Sequence, residues 1–243
     1  MGERDEALAE RRRRRLALVS ATAIVAAVLA GIAIAIGQAG GDEAGTTTGR
    51  PEGAAETRAL FAGLPQRGIE LGSPRARVTM VEFADVQCPF CGKYAREVLP
   101  ELVMRYVRTG RLRMAFRNLA FLGPDSERGA RMAAAAGHQA RLWQFVDLVF
   151  RNQGAENAGW VTDDYLERVG AAAGLDVRRA LAERDDPAVT AELREAAAEA
   201  QRLGVKSTPS FVLMRPGREP EGLDFGSLSV GAFTDALDEA LAP

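Results

Sequence analysis

The chain has 243 residues, 26% of them charged and 47% hydrophobic, with two cysteines and one histidine. That balance allows one well-buried domain plus additional segments, and a net charge of -2 with a pI of about 5.7 provides no basic field for nucleic acid. A structural disulfide framework would need more cysteines at wider spacing.

The first element is apolar. Leu16 to Ile36 form an uncharged stretch of about 21 residues, enough to cross a bilayer as a helix. Arg11 to Arg15 precede it, whereas Asp42 and Glu43 follow it with no basic residue before Arg50. By the positive-inside rule, residues 1–15 are a cytoplasmic tail, 16–36 a single-pass transmembrane anchor in the cell membrane, and the remainder extracytoplasmic. A cleaved signal peptide is the rival reading, but its apolar region normally runs only about 7 to 15 residues. Residues 37–58 are rich in Gly, Ala and Thr and read as a flexible linker, which places the folded domain over 59–243.

Within that domain, Leu60 to Leu64 form a short amphipathic stretch before Pro65, and Ile69 to Leu71 suit a short strand. Val78 to Phe83 is β-branched and apolar, the pattern of a central strand buried on both faces. A helix is expected from the cysteines to about Arg108, kinked at Pro100 and stopped by Gly110. Arg111 to Arg117 alternates apolar residues with arginines, as in a strand with one buried face. A helical block follows over about 124–203, its last helix capped by Asp186, opened by Pro187 and ended by Gly204. Strands at Ser210–Met214 and Leu223–Phe225 flank a turn at Arg215–Gly217, and an amphipathic helix over 231–241 closes the chain. The order describes an α/β domain, a small mixed sheet with a helical insertion.

Cys88-Pro89-Phe90-Cys91 falls where the central strand gives way to the helix. Pro89 suits the first helical turn, which puts Cys88 at the helix start beside unpaired N–H groups and the positive end of the dipole. Both favour thiolate, the nucleophile of disulfide exchange. Cys91, one turn further in, can resolve a mixed disulfide and should be the more buried sulfur. Three alternatives compete. Zinc wants four ligands, and only His138 remains among the usual soft donors. A structural staple this short removes little unfolded-state entropy. Two inert buried thiols fit poorly with the helix-start position.

With Val78-Thr79-Met80-Val81-Glu82-Phe83-Ala84-Asp85 leading into Gln87-Cys88-Pro89-Phe90-Cys91, residues 72–91 resemble the DsbA-like thiol-disulfide oxidoreductases, most closely their membrane-tethered bacterial branch. The likeness continues through Phe116-Arg117, Trp143-Gln144-Phe145, Phe150-Arg151-Asn152-Gln153 and the run from Gly204 to Phe211, covering about residues 60–241. It implies a thioredoxin fold with an inserted helical domain. Many members of that family carry a histidine between the cysteines, where this chain has Phe90.

The resemblance also assigns roles. Glu82 matches an acidic residue of the family that manages the proton of the inner cysteine; a carboxylate on this strand would be desolvated with a raised pKa, unless it reaches water at a strand end. Pro209 matches a cis proline facing the cysteine pair, and the Thr208 backbone would pair with an extended substrate segment. Pro89 and Phe90 are further candidate substrate contacts. Lys206 reads as a solvated loop residue, His138 as structural, and Trp143 and Trp160 as packing. The implied activity is an extracytoplasmic enzyme that introduces disulfides into reduced or unfolded secreted and envelope proteins. It would need no cofactor beyond the Cys88–Cys91 pair, no metal, and a membrane partner to reoxidise it. A reductase or isomerase using the same site, or a tethered binding module without turnover, are the competing functions.

Overall fold

The computed structural model of the protein describes residues 49–223 and 225–242. The expected tail, transmembrane anchor and linker up to residue 48 lie outside the described residues. Among the described residues, no helix is long and apolar enough to cross a membrane.

The folded region begins earlier than the expected boundary at residue 59. Helix α1 spans Ala54–Phe61, so the carboxy-terminal end of the expected linker is structured. Ala54, Thr57 and Phe61 fall on one face at helical spacing and are buried. The alanines that suggest a tether by composition are also the strongest helix formers, and burial of Phe61 against Trp143, with ring centroids 6.4 Å apart, selects the helix.

A hairpin of β1 (Gln66–Arg67) and β2 (Glu70–Leu71) follows, then β3 (Val78–Ala84), in which all seven residues are buried. Helix α2 covers Pro89–Glu97, α3 covers Leu99–Leu102, and a π-helical turn covers Val103–Val107. The single kinked helix expected here is therefore broken at Val98. Pro100 has no N–H and crowds the carbonyl four residues earlier, so the chain restarts with proline in the first turn of α3. Strand β4 (Leu112–Asn118) buries Leu112, Met114 and Phe116 and leaves Arg113 and Arg117 half-exposed, as the alternation requires.

The helical insertion consists of α4 (Pro124–His138), α5 (Leu142–Arg151), α6 (Asp163–Ala173) and α7 (Val177–Glu183), leading into α8 (Pro187–Arg202). Its boundaries are chemically marked. Thr162 and Asp176 accept hydrogen bonds from the N–H groups of Tyr165 and Arg179. Asp186 does sit at the start of α8, without a side-chain cap bond, and Gly204 lies just beyond its end at φ 69°. Strand β5 is Ser210–Met214, β6 is Glu221–Leu223, and α9 is Val230–Ala240. The last strand ends at Leu223 rather than beginning there, because Phe211 pairs with Leu223 and Leu213 with Glu221. Phe225 instead leaves the sheet to stack on Phe233 of α9 at 3.5 Å between centroids.

The six strands lie in the order β1-β2-β4-β3-β5-β6, with β3 and β4 parallel and every other neighbour antiparallel. One face carries the large core, which includes the cysteines, α2, α5 and α9. The other carries Val81, Phe83, Ala115 and Val212 beneath Ala200 of α8. This is a thioredoxin-like α/β fold with a helical insertion between β4 and α8, and β3 is buried because helices cover both faces.

Phe61→Ala should lower the unfolding free energy of the folded domain by about 3–5 kcal/mol, read from urea denaturation. An unchanged midpoint would mean that α1 is not part of the cooperative unit.

Candidate active site

The site is built at the carboxy-terminal end of β3. Past Ala84 the loop Asp85-Val86-Gln87 turns into α2, and the Cys88 N–H donates to the Asp85 carbonyl at 3.0 Å. Cys88 is the residue capping α2, in extended conformation, with Pro89 in the first turn. The Gly92 N–H closes that turn on the Cys88 carbonyl at 3.1 Å. The sulfur thus sits where the N–H groups of a helix start are unpaired.

Polar side chains hold the loop. Asp85 Oδ1 accepts from the Gln87 N–H at 2.9 Å and the Ser126 hydroxyl at 2.6 Å, while Oδ2 accepts from the N–H groups of Phe121 and Leu122. Gln87 donates through Nε2 to Ser126 at 2.9 Å and accepts from the Asn157 N–H at 2.8 Å. Gln153 Nε2 reaches the carbonyls of Val86 and Cys88 at 2.8 and 3.1 Å. A methyl group on Gly92 would lie 2.0 Å from Gln153 Oε1, so this position admits only glycine while Gln153 stays in place. Ser126, Gln153 and Asn157 all come from the insertion, which therefore fixes the active-site loop. Sequence reasoning missed these supports. Gln153 does belong to a motif of the resemblance, but nothing local shows that its amide crosses to a loop some 65 residues earlier.

The segment before β5 faces the cysteines. The Thr208–Pro209 peptide bond is cis, and the Cys88 thiol donates to the Thr208 carbonyl with Sγ 3.3 Å from the oxygen. The structure brings Cys88, Cys91, Thr208 and Pro209 together. Glu82 lies beneath them on β3, 1% exposed, so the strand-end reading of this carboxylate is excluded. Pro89 is exposed and Phe90 is 62% exposed beside the sulfurs. Lys206 is exposed, and His138 lies apart, paired with Glu192 at 2.8 Å and Glu183 at 3.6 Å. Trp143 is fully buried with its N–H donating to the Ile69 carbonyl, and Trp160 packs edge-on against Tyr165.

The electrostatics separate the two sulfurs, both of which are free thiols. A hydrogen bond from Cys91 is the main reason that the Cys88 pKa falls from 9.0 to about 6; bonds from the Thr208 side chain and the helix-start N–H groups of Phe90 and Cys91 add to it, against the opposing effect of burial. Burial, and the bond it gives to Cys88, push the Cys91 thiol well up. Burial also lifts Glu82 to about 8, with repulsion from Asp147 as the smaller cause. At neutral pH the site holds a thiolate at Cys88, a thiol at Cys91 and a protonated carboxyl at Glu82. That set can attack a disulfide, resolve the mixed disulfide and accept or return one proton.

The family model described as "Thioredoxin" matches residues 66–215. The chain is 30% identical over 162 residues to a probable disulfide bond formation protein D of Bacillus anthracis, covering 65% of this chain and 73% of that protein. It is 37% identical over 98 residues to the protein of the same name in Bacillus cereus, a match that spans 40% of this chain but only 45% of the relative. The crystal structure of oxidised BdbD from Bacillus subtilis superposes with a TM-score of 0.63 over 72% of this chain and 92% of that chain; at 18% identity this speaks to the fold.

Titration of the reduced protein, followed by thiolate absorbance near 240 nm, should show one sulfur ionising with a midpoint near pH 6 and no second one up to pH 9. A single midpoint at pH 8 or above would contradict the Cys91 hydrogen bond, helped by the Thr208 and helix-start contacts, as the source of acidity.

Proposed function

Since the chain belongs to the thioredoxin family, among its DsbA-like members, we propose that it is a thiol-disulfide oxidoreductase that introduces disulfides into secreted or envelope proteins outside the cytoplasm. One observation carries this reading: Cys88 opens α2 with its sulfur 3.3 Å from the Thr208 carbonyl and its pKa drawn down to about 6, while Cys91 stays a buried thiol. In the oxidised state a client thiolate attacks Cys88, and Cys91 departs as a thiolate that takes the Glu82 proton. A second client thiol then attacks the mixed disulfide, the client leaves oxidised, and Cys88 leaves as a stabilised thiolate. The Thr208 backbone and Pro209 offer an edge for an extended client segment, and Phe90 and Pro89 give apolar contact beside the sulfurs. No cofactor beyond the cysteine pair is needed, and a membrane oxidant restores the disulfide.

The oxidising direction follows from a thermodynamic cycle. What stabilises the Cys88 thiolate stabilises the reduced protein and makes the disulfide easier to reduce. Phe90 supplies no charge, so the potential should lie between about -270 mV and about -120 mV, the thioredoxin-like and strongly oxidising limits. The arginine run before the apolar stretch supports single-pass anchoring with the catalytic domain outside.

Three outcomes test this. Cys88→Ser should abolish disulfide exchange, whereas Cys91→Ser should accumulate mixed disulfides through Cys88; trapping through Cys91 in the Cys88→Ser protein would reverse the roles. The reduced protein should melt above the oxidised one at neutral pH. Because the folded Cys88 pKa lies below its unfolded value, that advantage is complete above about pH 9 and disappears as pH falls through about 6. An oxidised form that melts higher would make a reductase the better reading. Protease added to intact spheroplasts should release the domain, and complete protection would overturn the topology.

A further inference from the structure

The proton chemistry of this site has to reach water, yet Cys91 is fully buried and Glu82 is 1% exposed. The sheet register fixes what surrounds the Glu82 carboxyl. Phe116 of β4 pairs with it on one side and Phe211 of β5 on the other. From α2, Tyr94 packs on Phe211 with ring centroids 4.6 Å apart. From α5, Trp143 and Phe150 pack on Phe116 at 6.0 and 6.3 Å. Trp143, Asp147 and Phe150 are spaced four and three residues apart, so they share one helix face. The same face that lays two rings on Phe116 therefore directs Asp147 towards Glu82.

Asp147 is itself fully buried. Its Oδ2 accepts hydrogen bonds from the Thr57 hydroxyl of α1 and from Arg151 Nε at 2.8 Å. Among the described residues, its Oδ1 has no hydrogen-bond partner, and neither has Glu82 Oε2. Two buried carboxylates thus each keep a free oxygen at one interface. Arg151 is half-exposed, with its side chain against Gly53 at the start of α1, so the outer end of this cluster reaches the surface. The other titratable groups that act on or feel Glu82 are Cys91 and Tyr94, both fully buried, and the Tyr94 hydroxyl also has no partner among the described residues.

We propose that Asp147 and Glu82 form one buried carboxylate pair that carries protons between Cys91 and solvent at the Arg151 end of α5. This rests on the thiol-disulfide reading of the cysteine pair and extends it to a residue of the insertion. When client thiolate displaces Cys91, the electron pair of the broken S–S bond stays on the Cys91 sulfur. The Glu82 proton moves to it, and the carboxylate left at Glu82 is reprotonated through Asp147. A client dithiol loses two protons in all: one ends on Cys91, and the other is released because Cys88 remains a thiolate. Asp147 is a positioning residue, acting through Glu82. Its charged form favours the protonated Glu82 carboxyl by repulsion; burial raises the pKa of Asp147 itself, opposed by the hydrogen bonds from Thr57 and Arg151. The contact from Thr57 brings α1 into the circuit.

The test follows carbon-13-labelled Glu82 and Asp147 carboxyl resonances through pH in the full-length protein, together with the pH–rate profile of disulfide exchange. Asp147→Asn removes the facing negative charge, so Glu82 should ionise about one pH unit lower or more. At neutral pH the protonated fraction of Glu82 then falls by about half, so exchange should slow by roughly twofold, recovering as the pH is lowered. Thr57→Val keeps the shape but removes one donor, so Asp147 should ionise at higher pH; this variant decides the matter if Asp147→Asn fails to fold. An unchanged Glu82 titration in Asp147→Asn, a loss of rate uniform across pH, or a Thr57→Val titration that superimposes on the unsubstituted protein would each overturn the proposal. The carboxyl titrations need no turnover, so a protein without exchange activity would refute the thiol-disulfide reading while the Glu82–Asp147 coupling could still be read.

Discussion

A helix that starts where a fully buried strand ends concentrates unpaired N–H groups and the positive end of a dipole at one point. The chain places Cys88 at that point and then has to keep it there. Strand β3 is held on both sides by backbone pairing, to β4 and to β5, so the end of the strand cannot wander. The start of α2 is fixed by the turn between Asp85 and Cys88 and by proline in its first turn. Thr208 closes the arrangement from the start of β5, because the strand order puts β5 next to β3.

The helical insertion is more than a cover. Asp85 gathers four donors, and Ser126, Gln153 and Asn157 tie the loop to three different places in the insertion. Buried polar groups of this kind are costly when half satisfied and rigid when fully satisfied. The Gln153 amide and the absence of a side chain at Gly92 fit one another, so the first turn of α2 and the end of α5 are mutually shaped. Loop geometry, and with it the exposure of the Cys88 sulfur, thus depends on packing between the two parts of the domain.

Beneath the sulfurs, burial does the chemical work. In water, Glu82 would be ionised and Cys91 would differ little from Cys88. Burying Glu82 under α2, among Phe116, Phe211 and Tyr94, and Cys91 within that helix raises both pKa values, chiefly by desolvation, while Cys88 at the helix start moves the other way through hydrogen bonds. The two cysteines are three residues apart in sequence and differ in acidity because one caps the helix and the other lies inside it.

Several features were legible in the sequence because they are set by near neighbours. The apolar run of β3, the proline after Cys88, the alternation of β4 and the turn residues around α8 each specify local structure within a few positions, and together they placed the nucleophile. The resemblance added the cis bond before Pro209 and a buried acid at Glu82, which a single sequence leaves open between core and strand end. Local pattern failed where a long-range contact outweighed it. An alanine-rich stretch reads as a tether until Phe61 finds Trp143, one helix becomes three segments around Pro100, and β6 shifts because its register is set by β5. The composition and spacing of residues 82–91 alone determined that this chain carries a helix-start cysteine pair behind a buried strand. Only the tertiary structure decided which further groups support that pair, because Gln153, Asn157 and Asp147 lie tens of residues away and are brought to it by helix packing, which no local pattern encodes.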